Sequence, residues 1–205
     1  ELVAASRGEA AFRLQTVETI SELKVAYKPQ YIQSSSEIVR LYLKEALEYD
    51  MQLVRPLHLQ PLLDLPLNEL SGGELQRVTI ARVLAQDAHI YFLDEPSAYL
   101  DVEQRLSLSK VIASMMDVKK ASCLVVDHDL LFVDHLSKRL LVFDGQPAIS
   151  GVVTGPYGME EGMNFFLDGL DITFRRDEAN NRPRVNKPES QKDKEQKSAG
   201  KLYYG

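Results

Sequence analysis

Cysteine occurs once among the 205 residues, at Cys123, so the chain closes no internal disulfide and supplies no iron–sulfur ligand set. The neighbours in Cys123-Leu-Val-Val126 are apolar, which marks a small core residue rather than a reactive thiol. Such thiol poverty fits a reducing cytoplasm. No apolar run approaches the ~20 residues that a membrane-spanning helix needs, no signal-peptide pattern opens the chain, and no internal repeat is visible. The first residue is Glu1 rather than Met, so the start is expected to be cut, processed or a fragment edge. Missing too is G-x-x-x-x-G-K-[ST], the loop whose amides and lysine cradle phosphates. The one Gly-Lys pair, Gly200-Lys201, is followed by Leu202.

What is present is enough for a core. Hydrophobic residues make up 44% of the chain, which excludes global disorder and allows one α/β domain with a tail, or two small domains. The net charge of −6 is uneven. Residues 174–201 carry nine Lys/Arg against five Asp/Glu, leaving 15 against 25 on the remainder. A basic tail on an acidic body touches RNA, docks on its own domain, or is merely solvated.

Apolar runs at Leu23–Tyr27, Ile90–Leu93, Ser122–Val126 and Arg139–Phe143 predict strands, with Pro29 ending the first and Asp144-Gly145 closing the last. Helical spacing predicts helices over Glu37–Tyr49, Glu74–Gln86, Val102–Met116 and Asp129–Leu136, and the Leu/Pro-rich Val54–Leu70 reads as short helices and turns. This alternation argues for a largely parallel sheet covered on both faces, with Ile90–Leu93 and Cys123–Val126 as doubly buried strands. Beyond Ser150 glycines become frequent and the period weakens; from Glu178 the chain turns polar and is expected to be mobile or docked in extended form.

Chemistry gathers at strand and helix ends. Ser71-Gly-Gly-Glu74 fits a capping box, Ser71 at the N-cap and Glu74 at the third helical position. The adjacent Gly72 and Gly73 are poor helix formers; they allow a turn, or the close approach of an anion to the positive helix end. Asp94-Glu95 ends an apolar strand before Pro96, where α/β proteins bind ligands. Asp94 suits Mg²⁺, which takes one or two carboxylates with phosphate oxygens and waters. Glu95 is placed to orient or deprotonate a water for in-line attack, unless the pair is only an exposed acidic loop. His128 closes the next apolar strand and, if the strands are neighbours, shares an edge with Glu95. Gln30, after Tyr27-Lys-Pro, offers an amide oxygen to the metal shell.

In this order the features resemble the nucleotide-binding domain of ABC-type ATPases, an α/β fold with a P-loop-NTPase-like parallel sheet flanked by helices and a helical signature subdomain. Gln30 matches the Q-loop, Leu70-Ser-Gly-Gly-Glu74 the signature motif and Ile90–Glu95 the Walker B strand. Ser97–Asp101 matches the D-loop and His128 the switch histidine. More narrowly, "YKPQYI", "LSGGELQRV", "DEPSAYLDVEQR" and the tail from "ITFRRDEANNRPRVNKPES" resemble the second nucleotide-binding domain of the ABC-E family. These are ribosome-recycling ATPases, also called RNase L inhibitor proteins. The resemblance runs from about Leu23 to the C-terminus. Walker A, the first nucleotide-binding domain and the cysteine-rich iron–sulfur domain of the family lie outside it, so the domain reads as truncated on its N-terminal side.

The resemblance implies an unplaced remnant over residues 1–22, an ABC ATPase domain over residues 23–150 with its helical subdomain at about 34–72, and a hinge-like segment with a basic tail over residues 151–205. It implies ATP and Mg²⁺ as cofactors, Asp94 and Gln30 as Mg²⁺ ligands, Glu95 for the attacking water and His128 for γ-phosphate sensing. Ser71, Gly72, Gly73, Glu74 and Asp101 join the nucleotide-binding set, the signature residues acting on ATP held by an opposing domain. Iron–sulfur clusters are expected only in the family's N-terminal domain. The implied partners are the first nucleotide-binding domain of the same protein, ribosomal subunits, translation termination factors and, through the tail, ribosomal RNA; no membrane is implied. The implied activity is ATP hydrolysis coupled to splitting ribosomal subunits, absent from the isolated chain for want of Walker A. Two rivals stand beside it: another soluble ABC ATPase of translation-factor or DNA-repair type, and a non-catalytic interaction fragment.

Overall fold

A computed structural model describes residues 23–146, 149–176 and 183–203. Two compact units meet in sequence at Leu136 and Ser137. In the first, Val25–Lys28 (β1), Ile90–Asp94 (β2) and Ser122–Val126 (β3) form a parallel sheet in the order β1-β2-β3. Its register sets Lys28 against Leu93 and Asp94 against Val126, so the carboxyl ends of all three strands share one edge. β2 is central and its Ile90, Tyr91 and Leu93 are buried.

Of the two strands expected to be doubly buried, β3 departs from that pattern. Along β3 every residue is half-buried or exposed, because it has a sheet neighbour on one side only among the described residues. β1 alternates, with Ala26 and Lys28 buried and Val25 and Tyr27 exposed. One face of that strand is therefore uncovered by the described residues.

Parallel strands need long crossovers, and helices supply them. Gly72–Ala85 (α2) packs on β1 and β2, and Val102–Lys119 (α3) on β3 and on Leu130–Leu136 (α4). Asp101 caps α3 by accepting from the Gln104 amide at 2.8 Å, and Lys120 ends it in the left-handed conformation.

The helix expected over Glu37–Tyr49 is broken. Only Val39–Tyr42 (α1) is α-helical; a 3₁₀ turn at Ala46–Tyr49 and a π turn at Asp50–Val54 follow. The first amides of α1 donate to the carbonyls of Leu65 and Leu63, which pins it to the returning chain. The amides of Lys44 and Glu48 then bond three residues back, at Leu41 and Glu45, tightening the turn. This winding brings Val39, Leu43, Ala46, Leu53 and Val54 together into one buried cluster with α2 and α3, and apolar burial of that extent outweighs the modest preference for continuous α-helix.

The second unit opens with an antiparallel hairpin of Arg139–Gln146 (β4) and Ser150–Gly158 (β5). The first strand thus runs on through Asp144 and Gly145 instead of closing there. Met159–Gly169 (α5), Phe174–Arg176 (β6), Pro183–Val185 (β7) and Gln191–Ala199 (α6) complete it. The expectation of a mobile or extended tail is corrected over α6, which is helical and carries buried Asp193 and Gln196. Its very polar composition hid that docking, because the contacts are hydrogen bonds. Thr173 Oγ1 donates to Asp193 Oδ1 at 2.6 Å, Asn186 Nδ2 to Thr173 Oγ1 at 2.9 Å and to Gln196, and Gln196 Nε2 to the Phe174 carbonyl at 2.9 Å. Among the described residues no helix is long and apolar enough to cross a membrane.

Candidate nucleotide site at the sheet edge

Asp94 is the last residue of β2, and Glu95 turns out of the strand at φ 45, a left-handed conformation unusual for a residue with a Cβ. Three elements hold the Glu95 peptide groups. Its amide donates to the Val126 carbonyl of β3 at 2.7 Å, and its carbonyl accepts from Gln76 Nε2 of α2 at 2.8 Å and from Lys28 Nζ of β1 at 3.3 Å. The turn brings the Glu95 carboxylate within 3.7 Å of His128 Nδ1. Neighbouring parallel strands thus join the two residues that the sequence placed at strand ends. Gln30 follows β1 by two residues and is exposed beyond the same edge.

Lys28 is the member of this group that the sequence reading passed over. It is 0% exposed, and Nζ donates to the Asp94 carbonyl at 2.7 Å. Burial pushes its pKa down to about 8, partly offset by the negative charges of Asp94, Asp127 and Glu95. The signal was available, since strand alternation puts Lys28 on the same face as Ala26. Asp127 was likewise overlooked beside His128. Its carboxylate accepts from Ser97 Oγ at 2.8 Å and Ser97 N at 3.0 Å, tying the Ser97–Asp101 turn to the end of β3.

The Ser71–Glu74 segment is a complete capping box. The Glu74 amide donates to Ser71 Oγ at 3.4 Å, and the Glu74 carboxylate accepts from the Ser71 amide at 2.8 Å and the Ser71 hydroxyl at 2.6 Å. These bonds, the hydroxyl's first, hold the Glu74 carboxyl below its ordinary pKa. The glycine pair has a contact of its own. A Cβ at Gly72 would stand 3.2 Å from the Tyr99 ring, and one at Gly73 would stand 2.8 Å from the Tyr99 carbonyl oxygen. The helix start and the Ser97–Asp101 turn approach closely because both positions lack a side chain. Cys123 is half-buried against the core, and burial pushes its thiol up to about 12.

The donor set fits Mg²⁺ accompanied by phosphate. Asp94 and Gln30 offer a carboxylate and an amide oxygen, both hard ligands. No cluster of three or more His, Cys, Asp or Glu able to cage a metal occurs among the described residues, so phosphate and water oxygens would complete the shell.

Comparison with known proteins points the same way. Residues 4–98 match the ABC transporter family. An uncharacterized ABC transporter ATP-binding protein of Methanocaldococcus jannaschii is 49% identical over 89% of this chain and 32% of its own length. ABC transporter E family member 1 of Arabidopsis thaliana is 45% identical over 90% of this chain and 32% of its own. A structure described as ribosome-bound archaeal Pelota and ABCE1 superposes with a TM-score of 0.85 at 48% identity, over 92% of this chain and 33% of that one. The chain spans about a third of the length of the relatives it matches.

Proposed function

The chain belongs to the ABC family of ATPases, in its E branch, and on that premise we propose that it forms one face of an ATP-hydrolysing site in a larger protein that drives the separation of ribosomal subunits. The observation that carries the reading is the convergence of Glu95 and His128, 3.7 Å apart, at the edge that also holds Asp94 and Gln30. Asp94 and Gln30 would hold Mg²⁺, which when bound neutralises phosphate charge and orients the leaving oxygen. Glu95 would take the proton of an attacking water at its carboxylate oxygen. His128 would hold the γ-phosphate end by a hydrogen bond from its ring. Ser71, Gly72 and Gly73, at the positive end of α2, face a nucleotide carried by a second domain, and Asp101 fixes the neighbouring turn as the cap of α3. The ribosomal reading draws support from the relative described on the ribosome together with Pelota. Hydrolysis is cytoplasmic in this reading, as ribosome work requires.

In the full-length protein that contains this chain, Glu95→Gln is expected to leave ATP affinity nearly unchanged and to slow hydrolysis by ~10²–10⁴-fold, the span of a positioned general base. Single-turnover hydrolysis beside equilibrium ATP binding checks it. Unchanged hydrolysis would remove Glu95 from the chemistry.

A further inference from the structure

Burying an ammonium is among the costliest placements a fold can make, and an apolar side chain of the same volume often serves stability as well or better. Lys28 is nonetheless fully buried. Among the described residues its hydrogen bonds go to two main-chain carbonyls, those of Asp94 at 2.7 Å and Glu95 at 3.3 Å. Gln76, also buried, sends its amide to the Glu95 carbonyl at 2.8 Å. From the other side the Glu95 amide is taken by Val126 at 2.7 Å. Together these bonds fix the two peptide groups that flank Glu95, a residue held at φ 45, a conformation that persists only where its surroundings over-determine it.

The consequence of that conformation is the direction of the Glu95 side chain. An extended residue 95 would continue β2 and set its carboxylate on one face of the sheet. The left-handed turn instead swings it to His128, at 3.7 Å. We infer that Lys28, with Gln76, is a positioning residue that clamps the Asp94–Glu95 main chain in its left-handed turn and so aims the Glu95 carboxylate at the reacting water. The inference deepens the reading of Glu95 as general base and rests on it for its catalytic meaning. The clamp itself is a statement about the backbone, and can be measured without turnover.

The test uses Lys28→Met in the full-length protein, which keeps the volume and removes the donor. Hydrogen exchange at the Glu95 amide is expected to speed by at least about tenfold, as its bond to Val126 loosens. ATP affinity is expected to stay within about twofold while single-turnover hydrolysis falls by about 10–100-fold. In a Glu95→Gln background, Lys28→Met is expected to cost less than about twofold more, since both changes disable one group. Unchanged exchange at Glu95 would overturn the clamp, as would a full additional loss on top of Glu95→Gln. Faster exchange in a protein whose hydrolysis ignores Glu95→Gln would keep the clamp and sink the general-base reading instead. Should Lys28→Met not fold, Gln76→Met removes the other donor to the Glu95 carbonyl and faces the same criteria.

Discussion

A methyl group added at Gly73 would lie 2.8 Å from the Tyr99 carbonyl oxygen, while one at Gly72 would lie 3.2 Å from the Tyr99 ring. The difference decides which substitution matters. A carbonyl fixed in the Ser97–Asp101 turn cannot swing aside, whereas Tyr99 is 77% exposed and its ring can rotate. Gly73→Ala is expected to destabilise the fold by about 1–3 kcal/mol, the range for overpacking, and Gly72→Ala by less than about 1 kcal/mol. Urea unfolding of the two variants measures it; a Gly72→Ala penalty as large as that of Gly73→Ala would refute the steric account. The comparison also separates two reasons for the glycine pair. Steric room beside Tyr99 is a demand of this chain's own packing, and it holds whether or not an anion ever meets the helix end.

At the scale of an element, α6 is held by charge and hydrogen bonds rather than by apolar burial. Asp193 lies under the helix with its carboxylate bonded by Thr173 at 2.6 Å, by the Glu189 amide at 3.0 Å and by Lys197 at 3.4 Å. The Thr173 hydroxyl foremost, with the Glu189 amide and Lys197, holds the carboxyl below its ordinary value of 3.8. A depressed carboxylate contributes stability that is fully present above that ordinary value and is lost as pH falls through the folded one. Lys197 bonds Asp171 at 2.6 Å and is raised above its ordinary 10.5, chiefly by that contact. Its contribution is present below the ordinary value and is lost as pH rises through the raised one. The unit from Ser137 is therefore expected to loosen at both extremes of pH. Asp193→Asn should flatten the acid limb and weaken the alkaline limb only in part, because Asp171 remains the larger partner of Lys197. Hydrogen exchange across α6 as a function of pH reads this, and an unaltered acid limb in Asp193→Asn would assign it to other groups. The arginine-rich stretch follows the same logic: Arg175 and Arg184 are register partners on β6 and β7, where like charges side by side repel. Arg182, in the same basic tail, lies outside the described residues.

For the molecule as a whole, the proposed phosphate binding would sum contributions from several segments, of which this chain carries some. It holds the edge with Asp94, Glu95, Gln30 and His128, and no G-x-x-x-x-G-K-[ST] loop. A carboxylate pair attracts Mg²⁺ but repels bare phosphate, and the nest of backbone amides with its lysine is what normally overcomes that repulsion. The 205-residue chain alone is expected to bind ATP–Mg²⁺ weakly and to turn it over negligibly. Titration with a fluorescent ATP analogue and a phosphate-release assay check this, and tight Mg²⁺-dependent binding would show that the residues present suffice.

Local signals carried far along this chain because they rest on short-range physics. Apolar runs bounded by proline or acidic residues marked β2 and β3 nearly to the residue, and a serine three positions before a glutamate marked the start of α2. Strand ends bearing Asp94-Glu95 and His128 were legible as chemistry for the same reason. What only the tertiary structure decided depends on partners distant in sequence. The helix expected over Glu37–Tyr49 gave way because the tighter winding buries Leu43, Ala46, Leu53 and Val54 in one cluster with α2 and α3. The helical tail was hidden because Thr173 and Asn186 satisfy the polar residues of α6. Lys28 acquires its partners only when the parallel register sets it beneath the carbonyls of Asp94 and Glu95, 66 and 67 residues further along. A pattern of residue types records which side chains prefer water; which carbonyl a buried ammonium meets is settled only when three elements close around it.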